Sequence, residues 1–195
     1  CARDGYSFCL ANMPAMDMGK YDETNPRDFS VDDFALICNH VTDYNVLAIR
    51  NDETRFSDIE SIVTYSQDVA PVLVGAAATG ITSDDATILQ KLHTELGLEY
   101  EIVPTGGSKD TETLFIQGNT DILIANVADV TVAAKAGQYN VLCVFSEERS
   151  SMLPDVPAFA ELGFDAEIVN FSARGYAYPK GVDEEIIEKM ASALE

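Results

Sequence analysis

Apolar runs rich in Val, Ile, Leu and Phe recur along the chain, at residues 6–10, 34–38, 46–49, 72–74, 100–103, 122–125, 141–145 and 168–171. They are continuous rather than alternating, so they predict strands covered on both faces. Between several of them lie stretches of helical period. Residues 57–67 put Ile59, Ile62 and Val63 on one face, and Ser57-Asp58-Ile59-Glu60 has the spacing of a capping box. Residues 84–96 group Ile88, Leu89, Leu92 and Leu96, with Gly97 as the stop. Shorter helices are expected over 108–117 and 128–136, each closed by a glycine. Residues 183–194 group Ile186, Ile187, Met190 and Leu194, and the acidic first turn suits the positive end of a helix. Strand–helix–strand alternation predicts an α/β fold with a largely parallel sheet. Residues 13–33, with Met13, Pro14, Met16, Met18, Asn25 and Pro26, have no clear period and read as a loop or a short irregular helix.

Charge removes whole classes of function. With 33 acidic against 12 basic residues the net charge is −21, which repels phosphate backbones and excludes nucleic acid as a partner. The basic residues are scattered singly, so no patch for anionic lipid forms. A hydrophobic fraction of 47% nevertheless argues for a folded chain. The longest uncharged stretch, residues 69–83, is 15 residues long and broken by Pro71, Gly75 and Gly80, whereas a membrane span needs about 20. Four cysteines without a C-x-x-C pair are too few for a disulfide scaffold. Cys9, Cys38 and Cys143 sit in apolar runs and read as small buried hydrophobes. The chain starts at Cys1 with no signal peptide before it, as expected of a processed front or a piece of a longer protein.

Little in the sequence supports catalysis. Its two histidines, His40 and His93, belong to no metal or nucleophile motif, and His93 reads as a solvated or cap-like helix residue. No cofactor or metal is implied. Acidic pairs such as Asp52-Glu53, Asp84-Asp85 and Glu147-Glu148 read as solvated surface. Gly75-Ala76-Ala77-Ala78-Thr79-Gly80-Ile81-Thr82 has the glycine spacing of a phosphate loop, but Ile81 stands where the lysine belongs, which removes nucleotide hydrolysis. Small residues between a strand and a helix still aim backbone N–H groups at one spot. An ordinary tight turn explains the same residues. Val103-Pro104-Thr105-Gly106-Gly107-Ser108 repeats the arrangement with the same two readings open. Residues 149–163, with Leu153-Pro154-Asp155-Val156-Pro157, read as a turn and a short helix stopped by Gly163.

That last segment resembles a signature of the substrate-binding proteins of tripartite tricarboxylate transporters, the Bug or TctC family: an Arg, a short gap, Leu-Pro-Asp-Val-Pro, then Glu and Gly. Other stretches agree in order. Asp4-Gly5-Tyr6-Ser7 is similar to the family's Asp-Gly-Tyr-Thr, and Gly80-Ile81-Thr82-Ser83 to its Gly-x-Gly-Ser loop. Val103-Pro104-Thr105-Gly106-Gly107 resembles Val-Pro-Tyr-x-Gly, with Thr105 for Tyr. Gln117-Gly118-Asn119-Thr120-Asp121, Ala136-Gly137-Gln138-Tyr139-Asn140-Val141-Leu142 and Ala177-Tyr178-Pro179-Lys180-Gly181 match three further motifs, with Asn140 for Arg and Tyr178 inserted.

The resemblance implies a two-lobed α/β fold of the periplasmic-binding-protein type II kind, with two crossovers between lobes. Lobe two is expected over residues 50–167, and 1–49 with 168–195 form a partial lobe one. The front of lobe one is expected to be missing, so a truncated chain of this kind should bind weakly and self-associate. The implied function is a non-enzymatic solute receptor that captures a small carboxylate and delivers it to membrane subunits of a transporter. It would be periplasmic or extracellular, and such receptors are often lipid-anchored. The resemblance assigns ligand contact to Thr79, Gly80, Ile81, Thr82 and Ser83, with Thr105, Gly106, Gly107 and Ser108 as the opposite wall. Two rivals are the effector-binding domain of a bacterial transcription regulator, which would need a helix-turn-helix that this chain lacks, and a thiol hydrolase, which would need a His beside an exposed Cys.

Overall fold

The computed structural model describes residues 2–21, 27–77 and 82–194. Two of the predicted strands are one. The runs at 34–38 and 46–49 join into β2 (Phe34–Arg50), because the polar residues between them continue the extended backbone without a turn signal. The chain divides into unit one, residues 1–42 and 172–195, and unit two, residues 43–171. It passes between them twice, within β2 and at the start of β7 (Phe171–Pro179).

Unit two holds the second part of β2 with β3 (Val72–Ala77), β4 (Tyr100–Thr105), β5 (Ile122–Asn126) and β6 (Tyr139–Val144), in the order β4-β3-β5-β2-β6. The sheet of unit two is largely parallel, as expected, with one reversed strand. β3 runs parallel to β4 and β5, whereas β2 is antiparallel to both β5 and β6. Helices α2 (Ile59–Asp68), α3 (Asp84–Leu96), α4 (Ser108–Ile116) and α5 (Val127–Lys135) make the crossovers.

The continuous apolar runs have a simple cause. Leu47 and Ile49 of β2, with Ile122 and Ile124 of β5, face one core together with Ile62 of α2 and Ile88, Leu89 and Leu92 of α3. Val46, Ala48, Leu123 and Ala125 face the other, against Phe115 of α4 and Val130 of α5. Successive strand residues point to opposite faces, so a strand covered twice must be apolar throughout. β4, an edge strand, departs from the expectation, with Ile102 47% exposed.

Capping differs by one residue from the sequence reading. Asp58, not Ser57, caps α2: its Oδ1 accepts from the Ser61 N–H at 2.8 Å, and Ser61 Oγ accepts from the Asp58 N–H at 3.1 Å. Gly97 ends α3 in the left-handed region, at φ 75°, where its N–H reaches the carbonyls of Leu92 and His93. His93 is cap-like as expected, with Nδ1 2.9 Å from the Leu98 carbonyl. Two of the acidic pairs are not simple solvated surface. Glu53 has a side chain 3% exposed and held by Arg55 at 2.6 Å, and that guanidinium lowers its pKa to about 2. Asp84 and Asp85 are described below. Cys143 is buried as expected, whereas Cys9 and Cys38 are only half-buried.

Unit one contains β1 (Cys9–Met13), β7 and the first part of β2, in the order β1-β7-β2, with α1 (Ala15–Met18) and α6 (Glu184–Leu194). β1 begins three residues later than the predicted run, and the run at 168–171 only leads into β7. The aperiodic region 13–33 holds α1 and two 3₁₀ turns among its described residues. The core of this unit is small: Ala11, Met16 and Ala177, flanked by Cys9, Met13 and Phe34. Gly175 of β7 allows close backbone approach, since a Cβ there would collide with the Cys38 carbonyl oxygen of β2. Among the described residues, no helix is long and apolar enough to cross a membrane.

Candidate functional site

The three parallel strands of unit two end level with one another. Ala77 of β3 pairs with Thr105 of β4, and Val74 pairs with Ile122, which brings Asn126, the last residue of β5, to the same edge. Each strand is followed by a helix, so the N-termini of α3, α4 and α5 gather where the strands stop. This is the edge at which open α/β sheets bind ligands, and helix N-termini there favour anions.

Of the two segments expected to touch ligand, the described residues Thr82, Ser83 and 105–108 lie on this edge. Thr79, Gly80 and Ile81 are outside the described residues. Thr82 is buried, 3% exposed. Ser83 caps α3, its Oγ accepting from the Ala86 N–H at 3.1 Å. On the neighbouring strand, Thr105 is buried and its Oγ1 lies 2.7 Å from Thr111 Oγ1. Either hydroxyl can donate in this pair, and Thr111 Oγ1 also reaches the Gly107 carbonyl at 3.2 Å. The Thr105 hydroxyl is therefore paired within the unit and buried. Gly107 caps α4 without a side chain, at φ 149° and ψ −179°, a region essentially restricted to glycine. Gly106 and Ser108 are exposed beside it. Among the described residues, the first-turn N–H groups of α4 accordingly have no side-chain cap competing for them.

Beside the loops is a polar cluster that sequence reasoning missed. Asp84, the first residue of α3, accepts through Oδ2 from Asn126 Nδ2 at 2.9 Å and from Asn45 Nδ2 at 3.2 Å. Asn170 Nδ2 donates to Asn45 Oδ1 at 2.8 Å and to the Asp84 carbonyl at 2.9 Å. Asn126 also donates to the Asp43 carbonyl, and Asp43 Oδ1 accepts from the Ala128 N–H in the first turn of α5. Asn45, Asn126 and Asn170 are at most 5% exposed. The cluster ties the starts of α3 and α5 to β2 and β5. Its members are far apart in sequence, and the local signals were Asn45 and Asn126 bordering apolar runs and Asn170 interrupting the run at 168–171.

Asp85 follows with the opposite character. Burial, then the neighbouring Asp84 and Asp129 carboxylates, push its pKa up to about 7. Near neutral pH it is therefore about half protonated, and the edge is less negative than its formal charges suggest.

The Leu-Pro-Asp-Val-Pro segment folds as a clip closed on itself. Arg149 Nε donates to Glu161 at 2.8 Å and its Nη1 donates to the Pro154 carbonyl. Glu161 also accepts from the Ala158 N–H at 2.8 Å, and it is held below the usual carboxylate range, first by Arg149 and then by that amide. A 3₁₀ turn over Phe159–Leu162 follows, and Gly163 at φ 78° ends it. The arrangement accounts for the Arg, the Glu and the Gly as structural residues.

Comparison with known proteins agrees with this architecture. A sequence model of the tripartite tricarboxylate transporter family receptor, TctC, matches residues 1–195. The chain is 24% identical over 196 residues to the UPF0065 protein in the gbd 5'region of Cupriavidus necator, covering 99% of this chain and 57% of that one. Two solved structures from Rhodopseudomonas palustris share the fold. MatC with bound malate superposes with a TM-score of 0.83 at 19% identity, and a protein with adipate with a TM-score of 0.84 at 20% identity. All of this chain aligns in both cases, to 65% and 64% of those chains respectively, so it spans less than two thirds of the relatives it matches. A family match over the whole length, on a fold that the solved receptors share, places this chain in the TctC family of tripartite tricarboxylate transporter receptors, which are solute-binding proteins and not enzymes.

Proposed function

We propose that the chain is the ligand-contacting part of a receptor for a small carboxylate, and that residues 79–83 and 105–108 make the contact. The observation that carries this reading is the convergence of three helix N-termini at the ends of three adjacent parallel strands, with α4 lacking a side-chain cap. Relatives of the same fold with bound malate and adipate support the ligand class. Thr105 is committed to Thr111, so the second wall acts through backbone N–H groups and the Ser108 hydroxyl. The Asn45–Asn126–Asn170–Asp84 cluster acts indirectly, by holding the start of α3 in place. On this reading the receptor works outside the cytoplasmic membrane and hands its ligand to the membrane subunits of a transporter. Unit one then corresponds to a partial lobe one and unit two to a complete lobe two.

The test is an amide NMR titration of the chain with malate and with adipate, carried to millimolar concentration because a chain spanning less than two thirds of its relatives gives incomplete enclosure. Shifts confined to residues 79–86 and 105–110, and abolished by Thr82→Val, are expected. His93→Gln, in a capping position elsewhere on α3, is expected to leave them unchanged. Shifts elsewhere, or no response to either acid, would overturn the site assignment.

A further inference from the structure

The chain enters unit two near Asp43 and leaves it near Phe171, and buried amides fasten both connections to α3. Three main-chain bonds first close a ring. The Asn45 N–H donates to the Asn170 carbonyl at 3.0 Å, the Asn170 N–H to the Phe145 carbonyl at 3.0 Å, and the Phe145 N–H to the Asn45 carbonyl at 2.8 Å. The ring joins β2, the residue after β6 and the segment before β7. Side chains then reach the helix. Asn170 Nδ2 donates to both Asn45 Oδ1 and the Asp84 carbonyl, and Asn45 Nδ2 donates to Asp84 Oδ2. Two turns along α3, Lys91 Nζ donates to the Val169 carbonyl at 2.6 Å.

A buried side-chain amide costs free energy unless it is paired, a cost that an apolar residue does not carry. Asn170 is 4% exposed, between Val169 and Phe171 in an otherwise apolar run. A fully paired buried network fixes one arrangement of the elements that it joins. Here it fixes the start of α3 against both connections, and Asp84 is the residue next to Ser83 of the proposed ligand contact.

We propose that Asn170 is a positioning residue that couples the start of α3 to both chain connections, so that a carboxylate bound at residues 82–83 also steadies residues 43–45 and 169–171. Its carboxamide aims two donors at two elements, Asp84 of α3 and Asn45 of β2. A hydroxyl has one such proton and an apolar side chain none. A ligand that orders the first turn of α3 also orders what is bonded to it, and order already present lowers the cost of binding. The inference rests on the carboxylate reading and adds the route by which occupancy is felt away from the contact.

The experiment titrates the chain with adipate to millimolar concentration and follows amide signals and hydrogen exchange by NMR. Exchange at Asn45, Phe145 and Asn170 should slow about fivefold or more relative to Ile49 and Ile122 at the opposite edge, which report any general stabilisation. The side-chain amide signals of Asn170 should shift in the parent chain, a readout that needs no substitution. Asn170→Ser keeps the main-chain ring, so ligand shifts at residues 82–86 should persist while the selective slowing at Asn45 and Phe145 is lost. Each comparison is made with and without adipate in the same variant, so lowered stability alone does not produce that loss. Lys91→Met, which frees the Val169 carbonyl away from the edge, should leave the slowing intact. Ligand shifts at 82–86 without selective slowing, or the same slowing in Asn170→Ser, would overturn the coupling and leave the carboxylate reading standing. No shift at residues 82–86 or 105–110 would overturn that reading and this inference with it.

Discussion

Replacing Asp85 by asparagine should change how stability depends on pH. Asp85 is the second residue of α3, half-buried, with Asp84 and Asp129 as charged neighbours. A helix N-terminus favours a carboxylate by about 0.3–1 kcal/mol, but burial and like charge oppose it and win, raising the pKa from 3.8 to about 7. The raised value fixes the sign. Below pH 3.8 the group is protonated folded and unfolded, and it imposes no penalty. Between 3.8 and about 7 the unfolded chain ionises while the folded chain resists, so stability falls as pH rises; above about 7 the loss is complete. At about 1.4 kcal/mol per pKa unit, the shift sets a ceiling of roughly 4 kcal/mol, and partial solvent access brings the expected loss to about 2–4 kcal/mol. The amide side chain of the variant cannot titrate. Urea unfolding followed by circular dichroism from pH 4 to 8 should show Asp85→Asn equal to the parent at pH 4 and more stable by that amount at pH 8. Glu53, whose depressed pKa removes stability only as pH falls from 4.5 through about 2, titrates largely below this window. Parallel stability curves for the two proteins would refute the reasoning.

Asn126→Ala removes one bond to a carboxylate and one to a carbonyl, at about 1.5–3 and 0.5–1.5 kcal/mol, so unit two should lose about 2–4 kcal/mol in urea unfolding with loosened hydrogen exchange at the start of α3. A loss below about 0.5 kcal/mol, less than one ordinary hydrogen bond, would show that the cluster is dispensable. Cys143, fully buried with its thiol pushed up to about 12 by burial, should react with an aromatic disulfide reagent only on unfolding, whereas half-buried Cys9 and Cys38 react in the native protein. Labelling of native Cys143 ahead of those two would contradict the packing.

Much of this protein is decided locally. The apolar runs of β3 and β5, the period and glycine stop of α3, and the small-residue turn before α4 all follow from residues within one element. The ordered motifs identify the family because its turns and clips, such as Arg149 with Pro154 and Glu161, close over short sequence distances. Only the tertiary structure decided what depends on distant partners. The reversal of β2 against β5 and β6 is invisible locally, because a strand buried on both faces has the same composition in either direction. Asp84 looked solvated because acidic pairs usually are; the amides that bury its charge come from residues 45 and 126. Thr105 looked free to meet a ligand, but its hydroxyl is paired with that of Thr111, one helical turn into α4. The pKa of Asp85 belongs largely to the same class, since burial sets it first, with the adjacent Asp84 and then Asp129 on another helix adding to it.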